Sequence, residues 1–409
     1  MTGRKIINDP VYGFINVDDP IIMEVLKHPY YQRLRRIHQM ALAQLVYPGA
    51  VHSRLHHSLG AYHLMNNALH ILKSKGVDIS PEEEQAAKLA ILLHDAGHGP
   101  YSHTLEGVLV KNKSHEDITL LIMRKMNEQL GGALSRAIRV FSNQCDKKFL
   151  HQLVSSQLDV DRMDYLIRDS FFTGVSEGVI GYDRILNMLT VHKGELMVEE
   201  KGIHSIEKFL VSRRFMYWQV YLHKTVMCAE KMLVKIIERV REIGAESPSP
   251  VLNNFLTGKN DHRLFEELLD DYCHLDDVDI MYSLKVWAHH PDKVLSTLSK
   301  GILDRNLLKV QYFPQPVEKD LVKEKRDLAM RYLMVSEPDA HYLAFTGEAK
   351  SMTYNPTGEH INILFKNGEV KDISKVDHPL INQSLFGTTK KFYICYLNMN
   401  VHVEKINTI

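Results

Sequence analysis

Cysteine is scarce in this chain of 409 residues: Cys145, Cys228, Cys273 and Cys395 are its only four. None of them forms a CxxC pair. A disulfide framework and a cysteine-built zinc ribbon are therefore excluded, and reduced thiols in a cytoplasmic protein are expected. Net charge is lacking too, with 50 Lys and Arg against 50 Asp and Glu. No global field draws the chain to nucleic acid or to a membrane surface, so a nucleic-acid partner is not expected. No apolar run approaches the length of a membrane-spanning helix, and the opening Met-Thr-Gly-Arg-Lys-Ile-Ile lacks the apolar core of a signal peptide. Repeats and low-complexity tracts are missing as well, which argues against a solenoid.

The remaining composition is that of a folded protein, 44% hydrophobic and 24% charged, long enough for two or three domains. Asn8-Asp9-Pro10 signals a turn in a short hairpin within residues 1–17. Amphipathic spacing then predicts a helix from Ile21 to about Met40. Ser80-Pro81-Glu82-Glu83 is a strong helix start that leads through Leu92-Leu93 to His94-Asp95 and stops at Gly97. Further helices are predicted over Gln152–Arg168 and, without a break, over about Ile203–Arg241. A hairpin at 188–199 turns at Lys193-Gly194. Ser247-Pro-Ser-Pro250 marks the clearest interruption. Beyond it the chain reads helical to about 335 with one strand near 306–313. It then becomes β-rich, with strands at 342–346, 360–366 before the Asn367-Gly368 turn, and 391–397. The expected fold class is mainly α: a helical catalytic domain over 1–245 and a smaller α+β region over 246–409 that serves assembly or regulation.

Histidine is abundant, and its distribution is uneven. Nine of the 23 His lie between His52 and His115, and imidazole serves both metal ligation and proton transfer near neutral pH. His94 and Asp95 end an apolar helix, and the glycines that follow allow the winding change that lets both reach one cation. His57 opens an earlier helix, and Asp161 sits on a later one. Two imidazoles and two carboxylates make a mixed N/O site for one divalent metal, whether Mg, Mn, Fe, Ni or Zn. Such an ion polarises a phosphoryl oxygen and acidifies a water. His-Asp pairs are common by themselves; the weight lies in the order His, His-Asp, Asp, with every member on a predicted helix.

That order, with its flanking text, resembles the HD superfamily of metal-dependent phosphohydrolases. It is most similar to the branch of dNTP triphosphohydrolases that includes the vertebrate SAM-and-HD-domain enzyme and bacterial dGTPase-like proteins. The matching stretches are Asn8-Asp-Pro-Val-Tyr-Gly13, Arg33-Leu-Arg-Arg-Ile-His-Gln39, Tyr47-Pro-Gly-Ala-Val-His-Ser-Arg54, His57-Ser-Leu-Gly60, Leu93-His-Asp-Ala-Gly-His-Gly-Pro-Tyr-Ser-His103, His115-Glu116, Asp159-Val-Asp-Arg-Met-Asp-Tyr-Leu-Ile-Arg-Asp169 and Tyr221-Leu-His-Lys224. They span about residues 5–225 in family order. The resemblance implies hydrolysis at the α-phosphorus, releasing deoxynucleoside and triphosphate. It implies that His98, His103 and His115 line the phosphate site, with His115 or His103 as general acid and Glu106 or Glu116 orienting or deprotonating it. Arg54 matches an α-phosphate arginine. Arg162 replaces the lysine of close relatives. Arg213, Tyr217, Tyr221 and Lys224 form a helical stripe that closes over the nucleotide, and Gln39, Tyr165 and Asp169 match sugar contacts. A homo-oligomer, dimer or tetramer, is also implied. Lys5, Ile6, Asn8, Gln32 and Arg35 match the surroundings of the family's second, activating nucleotide site. Lys27 stands where a carboxylate reads guanine, so a different activator or none is expected.

Two other readings compete. Another HD enzyme, such as a nucleotidase, a cyclic-nucleotide phosphodiesterase or a (p)ppGpp hydrolase, would share the metal site. The acidic pair of the (p)ppGpp enzymes is replaced here by Ala96-Gly-His-Gly-Pro100. A nucleotide-binding regulator would be expected to lack a ligand or the phosphate arginine, and both are present.

Overall fold

The computed structural model describes residues 4–256, 264–355, 358–376 and 388–398; the first three residues of the expected N-terminal hairpin segment and the last eleven of the chain lie outside these. Helices dominate. The Arg54–Ser74 helix is the axis of the N-terminal half, packed between the Pro81–Leu93 and Val160–Thr173 helices. Pro81–Leu93 begins as its sequence demands. Ser80 Oγ accepts from the Glu83 N–H, the Glu83 carboxylate accepts from the Ser80 N–H at 2.8 Å, and Pro81 fills the first turn. Its Leu89–Leu93 end is buried.

Three predicted helices are shorter than expected, each for a local reason. The stretch from Ile21 to Met40 breaks after Pro20–Lys27, because Pro29 pushes His28 into extended backbone. His28 then caps the next short turn by accepting from the Tyr30 N–H. The stretch Gln152–Arg168 is two helices, Lys148–Val154 and Val160–Thr173. Asp159 separates them, accepting from the Ser156 and Arg162 N–H groups at 2.7 Å each. An N-cap of that kind competes with a continuing helix. The stretch 203–241 is also divided, into Ile203–Met216, a π-type turn Tyr217–Tyr221, and Lys224–Ile243. There the Leu222 N–H reaches back five residues to Tyr217 O, and His223 caps the restart.

The strands fall close to where alternation places them. β1 (Lys5–Asp9) and β2 (Gly13–Val17) form the N-terminal hairpin. β3 (Leu189–His192) and β4 (Glu195–Glu199) turn through Lys193-Gly194, both left-handed. β5 is Lys309–Phe313, and the β-rich tail supplies β6 (Ala344–Met352), β7 (Asn362–Leu364), β8 (Val370–Asp372) and β9 (Thr388–Tyr396). β5, β9 and β6 make one antiparallel sheet. β7 pairs in parallel with β4, so the C-terminal region extends the sheet begun by the β3–β4 hairpin. Among the described residues no helix is long and apolar enough to cross a membrane.

Candidate metal centre

His57 lies in the first turn of the Arg54–Ser74 helix and is buried. Its Nδ1 is 2.7 Å from Asp164 Oδ2. Asp164 in turn receives Arg168 Nε at 2.9 Å and Nη2 at 3.0 Å, and Arg168 Nη1 donates to Asp9 Oδ2 at 2.8 Å. This buried chain fixes the ring so that Nε2 points inward. It needs Gly60, because a Cβ there would stand 2.0 Å from Asp164 Oδ1 and 2.1 Å from Arg168 Nη2. His94 closes the Pro81–Leu93 helix, and its Nδ1–H donates to Ile91 O at 2.6 Å. The turn that follows is pressed onto the His115–Gln129 helix. Thr119 Oγ1 donates to His94 O at 2.9 Å, and a Cβ on Gly97 would meet His115 O at 2.1 Å.

Both imidazoles therefore aim Nε2 at the same point, 3.3 Å from each other. Asp161 Oδ1 is 3.0 Å from His57 Nε2 and 3.5 Å from His94 Nε2. Asp95 oxygens are 3.7 Å and 3.4 Å from the same two atoms. Ligands about 2.1 Å from one ion stand about 3.0–3.4 Å from each other, so the set has the spacing of a coordination shell. The donor chemistry fits as well. With each Nδ1 tied outward, two Nε2 atoms and two carboxylates face one another, and only a positive charge between them relieves that arrangement. The His57 ring registers the same demand. Burial lowers its pKa, but hydrogen bonds to Asp161 and Asp164 outweigh it and push it up to about 10. Asp161 is the one member with an open face, 30% exposed, which leaves room for water or phosphate oxygens.

A second imidazole group adjoins the first. His98 Nε2 is 3.2 Å from Asp95 Oδ1, and the His98 ring stacks on His115 at 4.0 Å and 13°. Glu106 holds the other two: Oε2 lies 2.9 Å from His103 Nδ1, and Oε1 lies 2.7 Å from His115 Nδ1. The same oxygen accepts from the His115 N–H at 2.8 Å. These bonds, His103 foremost, hold the Glu106 carboxyl well below its usual range, so it is a carboxylate. His98, His103 and His115 bring ligand atoms within 4.8 Å of one another. Stacked rings direct their lone pairs nearly parallel, though, and such a pair converges on a metal only if one ring swings. Of the two acids considered beside these histidines, Glu106 is the one in contact. Glu116 is exposed on the first turn of His115–Gln129, away from them.

A cavity of about 380 Å³ opens beside the first group. Arg54, Ser102 and His103 form its near edge; Gln39, Tyr165, Asp169, Tyr217 and Tyr221 line the rest. Arg54 is buried, donating to Asp95 Oδ2 at 2.5 Å and to Ser102 Oγ at 2.6 Å. Asp169 is held from two sides, by Tyr221 OH at 2.7 Å and by His52 Nε2 at 2.8 Å. Arg213 is buried behind Tyr217, its Nε and Nη1 without hydrogen-bond partners among the described residues. Two expected phosphate cations are outside the lining of this cavity. Arg162 turns to Ser156 O and Asp159, since the cap that splits the helix draws in its guanidinium. Lys224 is exposed at the start of Lys224–Ile243, because the π-type turn destroys the continuous stripe that would have carried it inward.

Sequence reasoning missed Thr104, Glu230 and Lys231 on the cavity wall. Burial pushes the Glu230 carboxyl up to about 7. The i, i+4, i+8 stripe Val226, Glu230, Val234 was the available signal, but it is equally the pattern of an ordinary amphipathic helix. Lys5, Ile6, Asn8, Gln32 and Arg35 gather round a separate cavity of about 340 Å³, together with Asp9, Tyr31 and His56. Lys27 is outside that lining, exposed and paired with Glu24 at 2.7 Å.

An HD domain matches residues 54–169, and an HD-associated region matches residues 180–272. The chain belongs to the HD phosphohydrolase family. It is similar to the crystal structure of a phosphohydrolase from Bacteroides thetaiotaomicron, with a TM-score of 0.92 and 46% identity over 97% of this chain and 100% of that one. An uncharacterized protein of Bacillus subtilis, YwfO, is 31% identical over 92% of this chain and 88% of its own length. More distant is the deoxynucleoside triphosphate triphosphohydrolase SAMHD1 of Gallus gallus, 25% identical over 82% of this chain and 60% of that protein.

Proposed function

We propose that this chain hydrolyses dNTPs at the α-phosphorus to deoxynucleoside and triphosphate, with one divalent metal held by His57, His94, Asp95 and Asp161. The observation that carries the reading is the continuity of one cavity, large enough for a nucleotide, from the Arg54–Ser102–His103 edge beside these four groups to the Asp169–Tyr221 pair. The bound cation would polarise a phosphoryl oxygen and acidify a water. Arg54, steered by Asp95 and Ser102, faces the phosphate with a forked, permanently charged donor. The Arg213 guanidinium, whose Nε and Nη1 lack hydrogen-bond partners among the described residues, supplies further positive charge behind the Tyr217 ring. His103 and His115, oriented by the Glu106 carboxylate, deliver the proton to the leaving 5′-oxygen of the deoxynucleoside, and His98 completes that wall. Asp169 and Tyr221, already bonded to each other, hold the sugar, with Gln39 and Tyr165 narrowing the space round it.

The test is product analysis with each dNTP and NTP in Mg²⁺ or Mn²⁺. Triphosphate plus deoxynucleoside is the expected result. Release of inorganic phosphate or pyrophosphate would replace the triphosphohydrolase reading with that of a nucleotidase, and absence of turnover with measurable dNTP binding would favour a regulator. A homo-oligomer is part of the same proposal. Sedimentation with and without a dNTP mixture is expected to show a dimer or tetramer, and a strict monomer under both conditions would remove it.

A further inference from the structure

The C-terminal region reaches the loops of the site through Tyr272, whose OH donates to Gly97 O at 2.9 Å, and through Asp277. Asp277, at the start of the Asp277–Trp287 helix, is buried. Its Oδ2 accepts from the His38 N–H at 2.8 Å and lies 2.6 Å from His38 Nδ1. Its Oδ1 accepts from the Tyr101 N–H at 2.7 Å. The two loops clasped in this way are those that carry the cavity lining. His38 pairs in a single β-bridge with Ser53, the Arg54 N–H donates to Ile37 O at 2.9 Å, and Gln39 follows directly. Tyr101 precedes Ser102 and His103. Tyr101 and Ser102 are consecutive non-glycine residues in the left-handed region, with φ of +51° and +46°. Backbone of that kind persists only where its surroundings over-determine it; from outside the loop Arg54 holds the Ser102 side chain and the Asp277 carboxylate grips the Tyr101 backbone N–H.

We propose that Asp277 is a positioning residue of the hydrolytic site: one buried carboxylate from the C-terminal region sets, through both oxygens, the loops bearing Gln39 and Ser102–His103. The inference rests on the phosphohydrolase reading above. Residues beyond 246 are on this account required for the geometry of the site, in addition to any part in assembly. The hydrogen bond to Asp277 also holds the His38 pKa above its usual value.

The test uses the full chain carrying Asp277→Asn. The amide presents an NH₂ group to one of two loops that each need an acceptor, so one loop loses its anchor. Turnover on the preferred dNTP, and on bis(p-nitrophenyl) phosphate as a generic phosphodiester, is expected to fall about tenfold or more in kcat, with metal content per chain unchanged. Amide hydrogen exchange in residues 99–104 is expected to speed up while the Arg54–Ser74 helix stays protected. Ser249→Ala, which removes a hydrogen bond to Asp279 in the same helix and the acceptor of the Leu252 N–H, both away from the clasped loops, is the control for lost stability and should keep wild-type kcat. His38→Ala is the milder probe should Asp277→Asn not fold, and should give a smaller fall in the same direction. Wild-type kcat and exchange in the Asp277 variant, or an equal fall in the Ser249 control, would overturn the inference. If the wild-type chain turns over neither compound, the phosphohydrolase reading fails, and the exchange measurement by itself decides the role of Asp277.

Discussion

Asp161→Ala is expected to leave a folded chain that no longer hydrolyses nucleotide, with kcat down by about 10³-fold or more. The carboxylate stands at the open side of the site, and its buried partner His57 keeps its bond to Asp164 when it is removed, so the fold survives. What is lost is one of four groups converging on a single point, 3.0 Å from His57 Nε2 and 3.5 Å from His94 Nε2. Metal affinity should fall together with turnover. Circular dichroism, metal content and dNTP hydrolysis on the same preparation check the three parts of this expectation. A variant with wild-type metal content and turnover would show that the cluster is not the hydrolytic centre.

Arg168→Ala should have the opposite profile, with its main effect on stability. Arg168 is fully buried between Asp164 and Asp9. Removing the guanidinium leaves two carboxylates in the interior without their cation, a change that costs about 3–5 kcal/mol. The same carboxylates also hold the site. Asp164 sets the His57 ring, so whatever protein remains folded should bind metal about 10–100-fold more weakly. Urea unfolding reads the first effect, and metal titration of the folded fraction reads the second. Unchanged stability would mean that the buried chain from Asp9 to His57 has no energetic weight.

These two residues also show what was legible in the sequence and what was not. His57, His94, Asp95 and Asp161 could be named in advance because the chemistry leaves a rare residue pattern and helix caps place it: Ser80 starts one carrier helix, and glycines end it at His94. The hairpin at Lys193-Gly194 and the strand at 309–313 were legible for similarly local reasons. Continuity of helices was not, because an amphipathic period continues through a break when the next segment faces the same core. Asp159 and His223 each interrupt such a period with a side-chain cap, and Lys224 and Arg162 stand outside the cavity lining as a direct consequence. Long-range partners were hidden more deeply. Nothing near Glu106 in the sequence distinguishes it from Glu116, and nothing near Asp277 ties it to His38 or Tyr101. Each is defined by where a distant backbone N–H or imidazole comes to rest.

The central claim is that one divalent cation sits among His57, His94, Asp95 and Asp161. Crystals of the protein grown with Mn²⁺ test it through an anomalous difference map. The expected result is a single strong peak about 2.0–2.3 Å from both Nε2 atoms and from an oxygen of each carboxylate. A peak confined to His98, His103 and His115, or none at saturating Mn²⁺, would contradict the account.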